Sequence, residues 1–346
     1  MPQPPLLPTT VIGSYGLPAW VYAADDWNKR GEFGPIDAQE FFDDAVDRAI
    51  MDQELAGIDI ISDGEMRRRG FVQGFVSKIT GLKNTGAPRK VGETGIDMEP
   101  VFETTGPINV PNGMGIVEEF SYLRDHTKRA TKQSVPGPFA ITSWYKPVGH
   151  YSDRTELAEA FVPAVNHEIR QLADAGCKYI QIDEPATPGI GNDPHTPKDI
   201  ARLFNKCIEG VSGVKFALHI CFGTHKKVAY AKKSYKPYFP EILDAKVDQF
   251  VFEFATREMY EIENWPKWAP DHELCAGVID VRSHYLETAE DVAERIRTCL
   301  KYVSADKLYL SPDCGMRRVA RYLAFGKLKA LAEGAAIVRK EITGKR

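Results

Sequence analysis

Short apolar runs alternate with longer amphipathic patterns along most of the chain. The longer patterns carry apolar residues three and four positions apart, which is typical of helices with one buried face. The short runs are bounded by turn residues or by helical patterns, which is typical of buried strands. They predict eight strands, at residues 9–14, 59–65, 134–144, 178–184, 214–220, 248–254, 274–280 and 307–313.

This alternation predicts an α/β protein built as a single (β/α)8 TIM barrel, because parallel strands need crossovers and eight of them close a filled barrel. An open, doubly wound sheet is the alternative. Residues 82–133 interrupt the alternation with a segment rich in Gly, Pro and Thr that ends in a helical pattern. We expect an elaborated loop between strands 2 and 3 of one domain spanning residues 1–346. Its role as a lid, a docking surface or a contact in a homo-oligomer stays open.

Composition and charge narrow the class of protein. The chain has 346 residues, 43% of them hydrophobic, and its net charge of −4 is interspersed, which excludes the basic surface of a nucleic-acid-binding protein. No segment approaches the roughly 20 apolar residues of a membrane span, and the first ten residues lack the features of a signal peptide. We therefore expect a cytoplasmic protein with neither nucleic-acid nor membrane partners.

The six cysteines are expected to be thiols, because disulfides are rare in the reducing cytosol. Cys177, Cys207 and Cys299 fall in or at the ends of helical patterns, where cysteine usually packs as a small apolar residue. Metal binding or catalysis is the sharper hypothesis for a cysteine that neighbours other ligand types.

Chemically active side chains gather at the predicted strand ends. They are Ser14, Glu65, Trp144, Asp183, His219, Cys221, Glu253, Asp280, Asp313 and Cys314. The carboxyl ends of barrel strands face one rim, so residues far apart in the sequence meet there.

A metal site is the strongest hypothesis from these residues. His219 and Cys221 lie two positions apart on an extended segment, so both side chains can bind one ion. Cys314 adds a second thiol just past the last strand, and Glu253 adds a carboxylate whose burial without a partner would be unfavourable. Two thiolates, an imidazole and an exchangeable carboxylate suit Zn²⁺ and the activation of a substrate thiol. The alternatives are a core histidine beside a packed thiol, and an ion pair between Glu253 and Arg257.

Adjacent carboxylates, Asp183 and Glu184, end the fourth predicted strand, and their side chains must diverge. We expect Asp183 to point inward, where it can bind a substrate ammonium group. The alternative is an ion pair with a rim arginine such as Arg282 or Arg317.

Glu65 is a similar candidate, although the three arginines that follow it closely in the sequence offer ordinary surface partners. The early segment of residues 12–14 can present backbone N–H groups and a hydroxyl to a carboxylate. Both signals are weaker than the metal motif.

Taken in order, the motifs resemble those of the catalytic C-terminal half of cobalamin-independent methionine synthase. The shared motifs are IGS, DGE, GPFAIT with a following Trp, IQIDEPA, His-x-Cys, the Glu of VFEF, and PDCG. The resemblance runs from Thr9 to about Arg339 and is specific because seven motifs keep one order.

The resemblance implies a zinc enzyme that transfers a methyl group to the sulfur of homocysteine and forms methionine. It places the zinc ligands on His219, Cys221, Glu253 and Cys314. It also implies substrate-binding positions, with the carboxylate on the backbone of Ile12, Gly13 and Ser14 and the ammonium group on Glu65 and Asp183. Trp144 matches the aromatic residue that faces the methyl donor, although a Trp at a strand end often serves packing alone.

The chain departs from this family mainly on the side of the methyl donor. The family's N-terminal barrel, which helps to hold polyglutamyl folate, has no counterpart, so the chain resembles a short, core form. Gly189 stands where the family has a glutamate that meets the pterin, and residues 92–117 lack its Arg-Cys pair. Arg282 stands in place of the proton-donating histidine, with His284 two positions further on.

These departures predict a donor other than folate polyglutamate. Methyltetrahydrofolate needs a placed acid at N5, whereas a cobalt-bound methyl group needs none. We expect methylcobalamin on a corrinoid protein, or another small methylated compound, as the donor. His284 and Asp183 are the candidate catalytic residues, with His284 acting as the acid if its loop turns inward.

Two other activities stay open. One is a zinc-dependent alkyltransferase or lyase that adds a different thiol, such as coenzyme M, to an epoxide. The other is a non-catalytic thiol or zinc carrier. Glu65 and Asp183 favour homocysteine, because a sulfonate thiol would need cations at the same place.

Overall fold

The computed structural model describes residues 4–68, 73–91, 97–185, 196–223, 229 and 232–344. Its strands are β1 (Ile60–Ile61), β2 (Thr80–Val91), β3 (Asp97–Asn109), β4 (Ala130–Thr131), β5 (Gln133–Pro136), β6 (Tyr145–Lys146), β7 (Tyr179–Asp183), β8 (Lys215–Ile220), β9 (Gln249–Glu253), β10 (Glu273–Ile279) and β11 (Leu308–Pro312). Its helices are α1 (Ala19–Lys29), α2 (Pro35–Ala56), α3 (Ile116–His126), α4 (Pro138–Thr142), α5 (Arg154–Asp174), α6 (Pro197–Cys207), α7 (Trp265–Trp268), α8 (Ala289–Leu300) and α9 (Arg321–Thr343). Within this described part of the chain, no helix combines the length and the apolar character needed to cross a membrane.

Six strands form one parallel sheet in the order β11-β10-β9-β8-β7-β5. A second parallel pair joins β1 to β4, and a single residue, Lys132, separates β4 from β5 along the chain. Two isolated parallel bridges extend the pairing, from Thr9 to Leu310 of β11 and from Thr10 to Ile60 of β1. Parallel strands that alternate with helices confirm the predicted α/β class.

The parallel strands are buried on both faces. One face contributes to a large apolar cluster with the helices, in which Leu218, Phe250 and Leu310 take part. The other, inner face forms a small separate cluster of Ile12, Ile60, Tyr179, Ala217, Val251, Cys275 and Tyr309. Side chains alternate along a strand, so residues two and four positions further on lie above this inner cluster. Polar side chains at these positions reach the carboxyl end of the sheet.

Two predicted strands are shorter than the pattern suggests. Residues 9–14 contribute isolated bridges, and residues 59–65 contribute the two residues of β1 before the chain turns. The aromatic-rich helix α1, which follows the first of these segments, was absent from the predicted elements.

The prediction of one strand across residues 134–144 is wrong, because β5 ends at Pro136 and α4 follows at once. Pro138 suits the first position of a helix, where its missing N–H group is not needed. The carboxylate of Glu184 accepts the N–H groups of Phe139 (3.1 Å) and Ala140 (2.7 Å) at the start of α4. A carboxylate at a helix N-terminus stabilises the helix, so Glu184 has a structural task.

Residues 82–133, the predicted elaborated loop, contain regular structure. β2 and β3 form an antiparallel pair, and β3 also pairs in parallel with β6, which gives a separate three-stranded sheet. α3 follows, and Glu168 of α5 accepts the N–H group of Ile116 at its start (3.2 Å). The segment closes with β4 and the first residue of β5, which already belong to the parallel pairing.

Candidate active site

The side chains of His219, Cys221 and Cys314 meet at the carboxyl end of the parallel sheet. His219 lies on β8, Cys221 follows that strand directly, and Cys314 lies two residues after β11. Their ligand atoms all lie within 4.8 Å of one another, and the two Sγ atoms are 3.2 Å apart. Burial raises the pKa of the Cys221 thiol well above its usual value. A donor set of two thiols and one imidazole suits a soft divalent ion such as Zn²⁺.

Asp183 fixes the orientation of the His219 ring. The Nδ1 atom of His219 donates a hydrogen bond to Oδ1 of Asp183 at 2.8 Å, whereas Nε2 is buried without a hydrogen-bond partner among the described residues. Burial lowers the pKa of His219, but Asp183 and Cys314 outweigh it and raise the value to about 9. The alternative partners Arg282 and Arg317 make no ion pair with Asp183 in the described part of the chain. A histidine fixed through Nδ1 in this way is typical of metal ligands.

A buried polar chain supports Asp183 from the inner face. Gln181 donates from Nε2 to Oδ1 of Asp183 (2.6 Å) and to the carbonyl of Ile12 (2.9 Å). Lys132 donates from Nζ to Oε1 of Gln181 (2.7 Å). Lys132 is fully buried, and burial lowers its pKa to about 8. The chain links the floor of the site to the histidine ring.

Arg282 binds both carboxylate oxygens of Glu253, each at 2.9 Å. Oε2 also accepts the N–H group of Phe222 (3.1 Å), the residue next to Cys221, and Oε1 accepts the hydroxyl of Thr256 (3.0 Å). Glu253 therefore lies beside the cysteine and histidine cluster but outside the group whose ligand atoms fall within 4.8 Å.

The alternative prediction, an ion pair between the carboxylate of Glu253 and Arg257, is wrong. Its guanidinium pairs instead with Glu261 at 2.8 Å. It reaches Glu253 through the backbone carbonyl at 3.2 Å. The carboxylate of Glu253 is thus neutralised from the β10 loop rather than from its own segment.

Asp313 ties the Cys314 segment to the end of β9. Its carboxylate accepts three backbone N–H groups, from Phe254 and Ala255 at 2.9 Å and from Thr256 at 2.7 Å. Burial raises the pKa of Asp313 to about 8. These bonds hold the end of β9 next to the segment that carries Cys314.

Glu65 and Asp183 are two buried carboxylates that interact electrostatically. Oε1 of Glu65 accepts the hydroxyl of Ser134 (2.8 Å) and lies 3.3 Å from Nη1 of Arg68. Arg68 is buried and bound to Glu119, so it is not the surface partner of the alternative account. Burial raises the pKa of Glu65; Arg68 opposes the rise and Asp183 adds to it. A cation beside these two acids would be favourable.

Gly13 and Ser14 bring the first segment against the others. A Cβ atom on Gly13 would lie 2.5 Å from Oε1 of Glu65, so this close approach requires glycine. A Cβ atom on Gly315 would likewise collide with the Ser14 hydroxyl, and the backbone carbonyl of Ser14 accepts the N–H group of Met316 (2.8 Å). Within the described residues, the N–H groups of Gly13 and Ser14 have no acceptor, so they can serve an anionic ligand.

Trp144 and His284 do not belong to the described group whose ligand atoms lie within 4.8 Å of one another. Trp144 is buried in the apolar cluster shared with the helices, and its carbonyl accepts the N–H group of Phe102 at 3.3 Å. His284 is exposed in the loop after β10, whereas Arg282 of the same loop is turned towards Glu253. Gly189 lies outside the described residues.

Sequence reasoning missed three residues that support the site. Gln181 precedes Asp183 by two positions, so the period-two pattern of β7 could have placed it on the inner face. Ser134 begins a predicted strand but was not considered as a site residue, and Lys132 lies between β4 and β5, before that predicted strand. Their tasks follow from contacts across strands, which no local pattern encodes.

Comparisons with known proteins agree with the motifs. Residues 7–336 match the family described as the catalytic domain of cobalamin-independent synthase. The methionine synthase of Saccharolobus solfataricus is 36% identical over 351 residues, with 100% of this chain and 98% of the relative covered. That of Sulfurisphaera tokodaii is 33% identical over 352 residues, with 100% and 96% covered.

A solved structure agrees over the same length. The B12-independent methionine synthase from Shewanella sp. W3-18-1, in complex with selenomethionine, superposes with a TM-score of 0.83 at 29% identity. The superposition covers 98% of this chain and 99% of that one. The chain therefore belongs to the cobalamin-independent synthase family and is an enzyme of the methionine synthase type, as its motifs predict.

Proposed function

We propose that this protein is a zinc-dependent methyltransferase that methylates the thiol of homocysteine and forms methionine. The observation that carries the proposal is the meeting of His219, Cys221 and Cys314 within 4.8 Å, beside the buried carboxylates of Glu65 and Asp183. The thiols and the imidazole support a metal, and the two acids support a substrate with an ammonium group.

The donor set fits Zn²⁺. The buried Nε2 of His219 lacks a partner in the described part of the chain, which is unfavourable unless the atom binds something. His219, Cys221 and Cys314 would hold the ion, with Glu253 as the fourth, exchangeable ligand. Zinc held by these residues would act as a Lewis acid and would favour the thiolate form of a substrate thiol.

The substrate assignments are supported by charge and by unused hydrogen-bond donors. Asp183 would serve twice, orienting His219 and, together with Glu65, attracting the ammonium group. The backbone at residues 12–14 would bind the carboxylate, since the N–H groups of Gly13 and Ser14 have no acceptor among the described residues. A sulfonate such as that of coenzyme M would meet acids at this place, so no observation favours the epoxide-opening alternative.

The methyl donor is proposed to be methylcobalamin, presented by a corrinoid protein, or another small methylated compound. Arg282 bound to Glu253 cannot donate a proton at neutral pH, and His284 is exposed, which weakens the case for a donor that needs an acid. Trp144 would face the donor. The description of the family as cobalamin-independent gives no support to the corrinoid, so the donor requires a direct test.

We also propose that the strands close into one (β/α)8 barrel that forms a single domain. The bridges at Thr9 and Thr10 connect β11 to β1, and β4 continues into β5, which supports closure. The three-stranded sheet of β2, β3 and β6 would then be the elaborated loop, as a lid, a dock for the donor protein or a contact between copies of the chain.

The experiment is methionine formation by the zinc-loaded protein from homocysteine, with methylcobalamin and methyltetrahydrofolate polyglutamate as parallel donors. Turnover with methylcobalamin alone supports both the activity and the donor. Turnover with the folate keeps the activity and overturns the donor assignment. Failure with both donors, although zinc and homocysteine bind, would leave the non-catalytic carrier as the better account.

A further inference from the structure

Arg282 and Glu253 form a buried ion pair at the edge of the proposed metal site. The Glu253 side chain has no exposed surface and that of Arg282 is 9% exposed. The guanidinium meets both carboxylate oxygens at 2.9 Å, which is the two-pronged geometry that arginine, unlike lysine, can provide. Such a pair holds the carboxylate in one defined position.

The same guanidinium makes two further hydrogen bonds to segments that adjoin the cluster. Nη1 also donates to the hydroxyl of Thr256 (3.0 Å), and Nη2 donates to the carbonyl of Gly223. Gly223 lies two residues after Cys221, so Arg282 spans the segment that carries a proposed ligand and the strand that carries Glu253. Its position does not depend on Glu253 alone.

Glu253 is within reach of the cluster without joining it. Its Oε2 accepts the N–H group of Phe222, which adjoins Cys221. Two thiolates already balance the charge of a divalent ion, and a substrate thiolate would add one more negative charge. A carboxylate that leaves the ion to make room would be buried and charged, which is strongly unfavourable without a cation.

We propose that Arg282 is a positioning residue: it would receive the carboxylate of Glu253 if that carboxylate left a bound metal ion to make room for the substrate sulfur, whose thiol proton would pass to solvent. The inference rests on the proposed function and adds a task for a residue that stands where the family has a histidine. The side chain of Glu253 then has two stable positions, one towards His219, Cys221 and Cys314 and one in the fork of Arg282.

The test measures binding rather than turnover. Zinc affinity, by chelator competition, and homocysteine affinity of the zinc-loaded protein, by calorimetry, are compared for the wild type, Arg282→Gln, Glu253→Gln and the double variant. Arg282→Gln should weaken homocysteine binding by about tenfold or more, because the displaced carboxylate is left without a partner. Zinc binding should be unchanged or tighter, and the double variant should bring homocysteine affinity back to within about threefold of the wild type.

Arg295→Gln is the matched control. Arg295 pairs with the buried Glu287 at 3.3 Å near the same loop but does not contact the cluster, so this variant should leave both affinities unchanged. If Arg282→Gln fails to fold, Arg282→Lys keeps the charge, loses the fork and should weaken homocysteine binding to a smaller degree.

The outcomes separate the inference from the function on which it rests. A wild-type protein that binds zinc but no homocysteine would contradict the proposed function itself. A wild type that binds homocysteine, with a folded Arg282→Gln or Arg282→Lys variant that binds it equally well, would overturn the task of Arg282 alone. A double variant as weak as Arg282→Gln would likewise show that Glu253 is not the group Arg282 serves.

Discussion

The Nδ1 atom of His219 donates a hydrogen bond to Oδ1 of Asp183 at 2.8 Å, and this contact leaves Nε2 as the nitrogen without a partner among the described residues. A ring held through one nitrogen offers the other at a fixed place, which favours metal binding over a purely structural histidine. Asp183 is held in turn by Gln181 at 2.6 Å. We therefore propose that Asp183 contributes to metal affinity as well as to substrate binding.

Replacing Asp183 by Ala should weaken zinc binding by about 10- to 100-fold, because the His219 ring loses its orienting partner. Asp183→Asn keeps an acceptor for Nδ1 and should weaken zinc binding less, while it raises the KM for homocysteine through the lost charge. Chelator competition and steady-state kinetics measure the two effects. Equal zinc affinity of the wild type and Asp183→Ala would show that the ring is held in some other way.

Serine at Cys314 or Cys221 should remove most of the bound zinc and all methyl transfer, with the fold intact by circular dichroism. Cys299→Ser is the control, because Cys299 is a fully buried cysteine of α8 that does not belong to the group of His219, Cys221 and Cys314. It should lower stability and keep stoichiometric zinc. Metal analysis after gel filtration measures the zinc content of each variant. Full zinc content in Cys314→Ser would show that Cys314 is not a ligand.

Glu65→Gln should weaken homocysteine binding by about tenfold and leave zinc content unchanged, because it removes one charged partner of the ammonium group. The matched probe is a homocysteine analogue that lacks the amino group. The wild type should prefer homocysteine over this analogue, and the variant should discriminate less. A variant with undiminished discrimination would mean that the ammonium group binds elsewhere.

Lys132 predicts a pH dependence of stability. Burial lowers its pKa from 10.5 to about 8 in the folded protein, so between these pH values the unfolded chain binds more protons and stability rises with pH. Relative to Lys132→Met, the free energy of unfolding of the wild type should increase by about 3 kcal/mol between pH 7 and pH 10.5. Urea denaturation of both proteins at several pH values measures this difference. A difference that stays constant with pH would mean that the pKa of Lys132 is the same in the folded and the unfolded protein.

Much of the parallel fold could be predicted because buried strands and amphipathic helices leave strong periodic signals. β7 to β11 match their predicted runs within a residue at each end. The third run was misjudged because PFAIT is as apolar as a strand, and its helical form depends on Glu184, which is distant in sequence. Contacts of that kind are invisible to a local pattern.

The candidate site, too, could be predicted only in part from the sequence. His219, Cys221 and Cys314 could be grouped from ligand chemistry and strand ends, and the structure brings them together. The partner of Glu253 could not be chosen correctly, because Arg257 is near in sequence whereas Arg282 is near in space. Which arginine pairs with Glu253 depends on the conformation of the loop after β10, and the local sequence around Glu253 does not encode that conformation.

The most direct measurement is zinc-edge X-ray absorption of the zinc-loaded protein before and after homocysteine is added. Our account predicts two sulfur ligands and two lighter ligands, a nitrogen and an oxygen, in the resting protein. Once homocysteine binds, a third sulfur should replace the oxygen. An unchanged sulfur count in a protein saturated with homocysteine would contradict the activation of the substrate thiol at His219, Cys221 and Cys314.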